Sequence, residues 1–406
     1  MKTTNPPSRF LNSLPRFALV CLLAAITHAA SAAVTWHDIQ FGGFASQGYL
    51  VNTGNNDYFG NSSDGTFDFR EYAANASYAT GKWRVGAQLF GQRLGDYGHD
   101  TITLDWATVD YQATQWFGVR AGRVKLPRGL YNESLDLDAV RPFVLLPQSV
   151  YDNRLRDFSA AFNGAMVYGN VSLKQAGSLD YRLFYGKMPL DTNSGASDYF
   201  NIDAPFQNLD IGMKSAHGGT LFWNTPVVGL RVGYSYNQFR DFETVRFVPF
   251  RNANAYKDCP AYDRHLLSAE YTTGDWILAA EAGKENPTYS VSYPPLPPSV
   301  FLYAKSTYYY FSVSRRINSH LELGSYYSYS DFQQVGVGTT VQMPLTKQGD
   351  YDLSVRFDVN DHLIFKIEGH YMDGSGKIFD VPSHPQPAAS RDNSWMLFAA
   401  KATVLF

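Results

Sequence analysis

The chain has few of the residues and segments that usually cross-link a protein or anchor it in a membrane through helices. It contains only two cysteines, Cys21 and Cys259, in 406 residues, and no cluster of Cys and His has the spacing of a zinc site. Beyond the N-terminal region no segment offers about 18 consecutive apolar residues, which excludes transmembrane helices. The net charge of −3 gives no indication of nucleic-acid binding. We therefore expect no metal, no cofactor and no internal disulfide.

The N-terminus has the pattern of a secretory signal peptide. Basic residues precede the apolar run FALVCLLAAI (17–26), and the small residues Ala-Ser-Ala follow it at 30–32. A charged start, an apolar run too short to cross a bilayer and an A-x-A end are typical of a cleaved signal peptide. We predict that residues 1–32 are removed, including Cys21. The remaining chain, 33–406, shows no linker or change in composition and is predicted to form one domain.

What the chain does contain is a repeated alternation of apolar and polar residues. In YDLSVRFDV (351–359) the odd-numbered positions are apolar and the even-numbered positions are polar or charged. Period two over about ten residues is typical of a tilted transmembrane β-strand with one face in lipid and one face in water. The run 362–373 alternates in the same way. Because only Asn360 and Asp361 separate the two runs, they predict a tight hairpin.

Sixteen segments of this kind follow one another, joined alternately by short turns and by long loops. An antiparallel barrel with turns on one side of the membrane and loops on the other produces this alternation. A soluble β-sandwich or a propeller gives no reason for it, and the chain lacks the internal repeat of propeller blades. We therefore predict an all-β fold, a 16-stranded antiparallel transmembrane β-barrel. The predicted strands are 39–51, 66–79, 82–94, 101–112, 115–126, 159–173, 178–188, 209–223, 227–239, 263–273, 275–285, 304–316, 319–331, 349–359, 362–373 and 394–406.

The C-terminal strand ends on an aromatic residue. In SWMLFAAKATVLF (394–406) the terminal Phe406 shares a face with Val404 and Phe398. This ending resembles the assembly signal of Gram-negative outer-membrane barrels, which predicts location in the outer membrane. Aromatic residues make up 16 % of the chain and suit girdles at the two membrane interfaces. The predicted girdle residues are Trp83, Trp116, Trp395, Tyr308, Tyr309, Tyr310, Tyr326, Tyr327 and Tyr329.

Taken together, these features resemble the porins of Gram-negative bacteria. The run GRVKLPRGLYNESLDLDAVRPFVLLPQSVYDN (122–153) is similar to a stretch of porin-like proteins related to the phosphate-selective and polyphosphate-selective group. The resemblance implies that the third external loop, here 127–158 between the fifth and sixth strands, folds into the lumen and narrows it. It also implies passive diffusion of small hydrophilic solutes, contact with outer-membrane lipid and a homotrimer. Phosphate selectivity is not carried over, because it depends on a ladder of basic residues and this lumen has mixed charge.

The charges of loop 127–158 are nearly balanced, with four basic and five acidic residues. Selectivity in a channel depends on the width of the constriction and on the charges that line it. If the loop charges segregate onto opposite walls, their field would orient dipolar solutes; if they pair, they only hold the loop, and the sequence leaves both readings open. The arginines favour anionic or zwitterionic solutes. The predicted constriction and lumen residues are Arg123, Lys125, Arg128, Glu133, Asp136, Asp138, Arg141, Arg154, Arg156, Arg356 and Lys366.

The second half of this loop, VRPFVLLPQSVYDNRLRDF (140–158), is too apolar for an ordinary surface loop, and its prolines disfavour pairing as another strand. Inside a barrel its two kinds of residue find different surroundings. We predict that residues 143–146 pack on the inner wall while Arg141, Arg154 and Arg156 meet water in the pore.

Two other classes of function are compatible with an outer-membrane barrel. An adhesin or scaffold would need no inward loop. A barrel hydrolase would need a serine and a histidine close together on the outer wall; in the predicted register His265 is outward, but its neighbour Ser268 is inward. No G-x-S-x-G or H-E-x-x-H motif is present. We therefore expect no enzymatic activity and no catalytic residue.

Overall fold

The chain folds into a closed antiparallel β-barrel. Each strand pairs with its neighbours in sequence, and the last strand closes on the first from the pair Leu397–Asn52 to the pair Leu405–Phe44. Sixteen strands complete the barrel, which confirms the predicted fold class. The structure is a computed structural model that describes residues 34–36, 38–200, 207–292, 294, 300–336, 347–378 and 386–406. The predicted signal peptide lies outside the described residues.

The barrel strands, labelled β1 to β16 in chain order, are Ile39–Asn52, Phe69–Thr80, Trp83–Leu94, Thr103–Thr114, Phe117–Lys125, Ala161–Ser172, Ser178–Lys187, Gln207–Asn224, Leu230–Val248, Ala253–Thr273, Trp276–Glu285, Val300–Arg316, Leu321–Gly336, Lys347–Asn360, Leu363–Gly374 and Ser394–Leu405. A short strand, Val34–Trp36, pairs with the start of β1, and Thr288–Ser292 continues β11 between β10 and β12. Of the helices formed by the described residues, none is long and apolar enough to cross a membrane.

The two faces of the barrel wall have opposite polarity. On β14, Leu353 is 65 % and Val355 is 37 % exposed, whereas Ser354 is 0 % and Arg356 is 8 % exposed. The inner face of a closed barrel is the less accessible one, so the polar residues point inward and the apolar residues outward. An apolar outside and a polar inside are the arrangement of a transmembrane β-barrel, and the period-two pattern of the sequence places the same residues on each face.

The prediction of a long loop at 240–262 is wrong. Strands β9 and β10 continue as a hairpin through this region, and only residues 249–252 lie between them. The sequence pattern fails here because Asp241 and Glu243 stand in place of apolar residues on one face. A strand that extends beyond the lipid has no need of an apolar face, so backbone pairing continues after the alternation has ended. For the same reason β12 and β13 are longer than predicted at their long-loop ends.

The structure agrees with the prediction of an aromatic girdle on the outside of the barrel for only some of the predicted residues. Trp83 and Trp116, at the short-turn end, are exposed on the outside as expected, and so is Tyr309. The prediction is wrong for four others, which are buried inside the barrel. Adjacent tyrosines on one strand cannot share a face, because successive side chains alternate. The four buried residues are Tyr308, Tyr310, Tyr326 and Trp395.

Candidate functional site

Loop 127–158 connects β5 to β6 but makes many of its contacts on other sides of the barrel. The backbone N–H of Leu130 donates to Glu281 on β11 (3.0 Å), and that of Leu145 donates to Glu368 on β15 (3.1 Å). Both carboxylates belong to the polar inner face and are almost completely buried. The loop therefore lies against the inner face of strands that are distant from it in sequence.

Asp138 is one of the loop residues that join it to β15 and β16. Thr403 Oγ1 donates to its carboxylate (2.7 Å), and the ammonium groups of Lys366 and Lys401 lie 3.0 and 3.4 Å from it. Lys366 also donates to the backbone carbonyls of Asp138 (2.6 Å) and Phe143 (3.1 Å). Burial would raise the pKa of Asp138, but Lys366 and Lys401 more than offset this and hold the pKa below its usual range. Two residues predicted from the sequence, Asp138 and Lys366, thus meet in space.

A second group of charges joins the loop to β4 and β5. Arg156 donates to both oxygens of Asp136 (3.0 and 2.8 Å) and to Asp105 (2.7 Å). Lys125 contacts the same carboxylates, at 2.5 and 2.8 Å. Burial would raise the pKa of Asp136, but Arg156 and Lys125 keep it below its usual range. Asp105 was missed in the sequence because it lies at an irregularity in the pairing of β4 with β3, where alternation does not assign a face.

Arg154 joins the loop to two other connections. Its guanidinium forms two hydrogen bonds with Asp152, at 2.9 and 2.8 Å. It also donates to the backbone carbonyls of Tyr58 (3.1 Å), which precedes β2, and of Lys377 (2.6 Å), which precedes β16. The Tyr58 ring lies against the guanidinium, with its centre 4.7 Å from the guanidinium carbon. Three connections at the long-loop end of the barrel are therefore held together by one buried arginine.

Three further arginines from the predicted set donate to backbone carbonyls of the loop. An irregular loop has carbonyl groups without a strand partner, and these need donors when they are buried. A guanidinium carries five N–H donors in a fixed geometry and can serve several such groups. The donor and acceptor pairs are Arg128 with Val150 (2.7 Å), Arg141 with Leu135 (2.6 Å) and Arg356 with Ala139 (2.5 Å).

The prediction that Arg141, Arg154 and Arg156 meet water in the pore is wrong. Their exposed fractions are 4 %, 2 % and 8 %, and each donates to a carboxylate or a carbonyl. Of the two readings left open by the sequence, pairing is the one the structure shows for Arg154 and Arg156, which contact carboxylates, whereas Arg141 donates to the backbone carbonyl of Leu135. All three residues therefore hold the loop in place.

The apolar run 143–146 is buried against the inner wall. Val144 and Leu145 belong to a cluster with Trp395 of β16, and Phe143 packs edge-on against Tyr326 of β13 at 5.2 Å between ring centres. Hydrophobic packing thus adds to the polar contacts of the loop. Burying such side chains stabilises by about 1.5 to 3 kcal/mol each.

A cavity of about 890 Å³ lies between the loop and the short-turn end of the barrel. Two loop residues that border it keep substantial exposure, Leu137 at 44 % and the Glu133 side chain at 35 %. Glu133 lies 3.3 Å from Arg182 of β7, and Arg84 of β3 is exposed. The ionisable residues lining the cavity are Asp38, Arg84, Asp110, Arg120, Lys125, Glu133 and Asp136.

Strand β5 departs from strict alternation beside this cavity. Arg120 contacts Asp110 (2.7 Å) and Lys125 contacts Asp136, so both point inward although they are five positions apart. Gly122 lies between them with a φ of 121°, a conformation that other residues rarely adopt. A residue with this φ can interrupt the alternation of a strand. Arg123, also predicted as a lumen residue, donates to the backbone carbonyl of Asp105 (3.2 Å).

The histidine considered for a hydrolase has a different partner. His265 Nδ1 lies 2.6 Å from the hydroxyl of Tyr234, which is exposed on the outer face. Ser268 is buried on the inner face and donates to Glu281 at 2.5 Å. His265 and Ser268 therefore lie on opposite faces of the wall and do not form a catalytic pair.

Acidification tests how much the buried carboxylates of the loop contribute to the stability of the fold. The pKa values of Asp136, Asp138 and Asp152 are all lowered, because neighbouring cations outweigh the effect of burial. Such groups stabilise the fold fully above their unfolded pKa of about 3.9 and lose this contribution as the pH falls below it toward the folded value. The thermal unfolding midpoint should therefore be insensitive to these groups from about pH 7 to 5 and fall below about pH 4.

The variant Asp136→Asn provides the control for this prediction. It should unfold at a lower temperature at neutral pH and lose less on further acidification, because its charge is already absent. A wild-type decrease above pH 5 that disappears in Asp136→Asn would contradict the lowered pKa.

The closed wall with its apolar outside and polar inside defines the chain as a sixteen-stranded transmembrane β-barrel. No family model matches the sequence, and no curated protein matches it. Solved structures match its fold. They include OmpF of Salmonella typhi in complex with daunomycin (13 % identity, 92 % of this chain and 99 % of that chain, TM-score 0.57). The anion-selective porin of Comamonas acidovorans (14 %, 91 % and 99 %, TM-score 0.51) and OmpT, an outer membrane protein of Vibrio cholerae (12 %, 93 % and 100 %, TM-score 0.54), are also similar. At these identities the likeness shows the fold.

Proposed function

We propose that the protein is an outer-membrane porin, a passive diffusion channel for small hydrophilic solutes, in which loop 127–158 forms the constriction. The observation that carries this proposal is the distribution of the loop's partners, which come from the inner faces of β4, β11, β15 and β16. A loop held across the interior, with a cavity beneath it, supports a narrowed channel. Export through a cleaved signal peptide at 1–32 and a single domain over 33–406 belong to the same proposal.

The apolar outer face supports contact with outer-membrane lipid. We also propose a homotrimer; OmpT of Vibrio cholerae has been described in a trimer form. The resemblance of residues 122–153 to the phosphate-selective and polyphosphate-selective group stays a prediction.

The proposed preference is for anionic or zwitterionic solutes. Because the loop arginines are buried and hydrogen-bonded, selectivity would arise from charges that border the cavity. Arg84 on the barrel wall is exposed there, and Glu133 of the loop is partly exposed. Opposite charges on two sides of a passage create a field across it, which orients dipolar solutes.

Planar-bilayer recording tests the channel. The purified, folded protein is expected to produce discrete conductance steps, and steps in groups of three would support the trimer. The reversal potential in a salt gradient should indicate a preference for anions; a cation preference would overturn this selectivity. Absence of conductance from protein that migrates as a folded species in electrophoresis would favour the adhesin or scaffold alternative.

A further inference from the structure

Four ionisable residues on the inner faces of β14 and β15 form a cluster with more negative than positive groups. Asp350, Asp352, Glu368 and His370 are at most 4 % exposed. Asp352 lies directly opposite His370 in the antiparallel pairing. One oxygen each of Asp352 and Glu368 and one ring nitrogen of His370 lie within 4.8 Å of one another. Three buried carboxylates thus surround one imidazole, and buried charge of this kind requires compensation.

The orientation of His370 leaves one ring nitrogen directed at these carboxylates. Its Nδ1 lies 2.9 Å from Asp350 Oδ1. Histidines that bind metals typically donate one ring N–H to a carboxylate, which keeps the lone pair of the other nitrogen available to the ion. His370 Nε2 lies 3.0 Å from Glu368 Oε1, but the two are not aligned for a hydrogen bond, and Nε2 has no hydrogen-bond partner within the described part of the chain. The ring is completely buried.

Glu368 uses its two oxygens differently. Oε2 accepts the N–H groups of Val144 and Leu145 from the loop, the latter at 3.1 Å. Oε1 is the oxygen close to His370 Nε2. Oε1 also accepts the N–H of Leu145, at 3.4 Å, so the carboxylate contacts both the loop and the cluster.

We propose that Asp352, Glu368 and His370 bind a divalent transition-metal ion, with Zn²⁺ as the best match. Two carboxylate oxygens and one imidazole nitrogen are ligands that Zn²⁺ takes, often with water in the fourth position. Ca²⁺ and Mg²⁺ prefer sites made of oxygen alone, which the imidazole disfavours. Asp350 acts as a positioning residue that orients the ring. Through Glu368 the ion fastens the run 143–146 to the barrel wall.

This site could not be predicted from the sequence, because its ligands do not have the spacing of a known motif. Glu368 and His370 are two positions apart, which places them on one face of a strand. Asp352 reaches them only through the pairing of β14 with β15. The inference rests on these contacts and holds whether or not the barrel conducts ions.

Metal content after refolding tests the proposal. The chain without residues 1–32 is refolded with ZnCl₂, dialysed against metal-free buffer and analysed by mass spectrometry for zinc. About one ion per chain is expected in the wild type, and strong loss is expected in His370→Gln and Asp352→Asn. The matched control is His362→Gln: His362 lies between β14 and β15 near the backbone carbonyl of Leu405 (3.1 Å) and should not affect zinc content.

A wild-type protein that folds without retaining zinc would overturn the proposal and indicate that a proton shared by Asp352 and Glu368 balances the charge. Equal zinc in His370→Gln and wild type would also overturn it. If the variants fail to fold, refolding the wild type with Co²⁺ decides. Binding at this site predicts a visible absorption spectrum distinct from aqueous Co²⁺ that disappears on addition of Zn²⁺; an aqueous spectrum contradicts it.

Discussion

Deletion of residues 134–150 is expected to raise the single-channel conductance several-fold. The deletion removes the buried run 143–146 and Asp138, so both the segment that crosses the interior and its attachment to β15 and β16 are lost. A side chain connects the two regions that flank the deletion: the N–H of Tyr131 donates to the hydroxyl of Tyr151 at 3.1 Å. A flexible glycine linker rejoins residues 133 and 151 in this variant.

The control for this deletion is Val140→Ala. Val140 belongs to the same loop but is 57 % exposed, so its truncation should leave both the loop position and the conductance unchanged. Heat-modifiable electrophoretic mobility verifies that each variant is folded. If a folded deletion variant conducts like the wild type, loop 127–158 does not form the constriction.

Replacement of Arg156 by alanine is expected to destabilise the barrel by about 3 to 5 kcal/mol. The guanidinium contacts Asp136 and Asp105 and lies over the ring of Phe90 at 3.9 Å. Its removal leaves two buried carboxylates with Lys125 as the cation in contact with both of them. Removing one partner from a buried ionic group lowers the stability of the fold by more than the whole group contributes to it, because the remaining charge is left uncompensated. Urea unfolding in detergent measures the change.

Arg182→Ala is the matched control, since Arg182 also pairs with a loop carboxylate. Its pair with Glu133 is 35 % exposed on both sides, and pairs that are accessible to water contribute about 0 to 1 kcal/mol. Equal losses in Arg156→Ala and Arg182→Ala would show that burial does not strengthen the contacts of Arg156.

Some of the candidate site could be predicted from the sequence, and the reason is local. Alternation on β15 places Lys366 on the same face as Glu368, and both are found inward. The partners of these residues could not be predicted. Lys366 meets Asp138 across 228 residues and Lys401 meets it across 263; no local pattern encodes such a contact. Lys401 was missed for this reason, although it alternates inward with Thr403.

The environment of the loop arginines could not be predicted either. A composition of four basic and five acidic residues is equally compatible with a water-filled constriction and with a buried network of ion pairs and hydrogen bonds. The difference depends on whether carboxylates and unpaired carbonyls reach the guanidinium groups, and this is a property of the packed loop. Arg154 illustrates it, because two of its acceptors, the carbonyls of Tyr58 and Lys377, come from other connections.

The sequence by itself determined that the chain is a membrane barrel and, on strands with regular alternation such as β14 and β15, which face meets lipid. It could do so because the direction of a side chain on a regular strand depends only on its position. Few folds other than a membrane barrel accommodate sixteen strands that each have one apolar face. Only the tertiary structure decided which charges are paired and which border the cavity. Barrel closure and loop packing bring together residues hundreds of positions apart, and the free energy of a charge depends on those neighbours and on its distance from water.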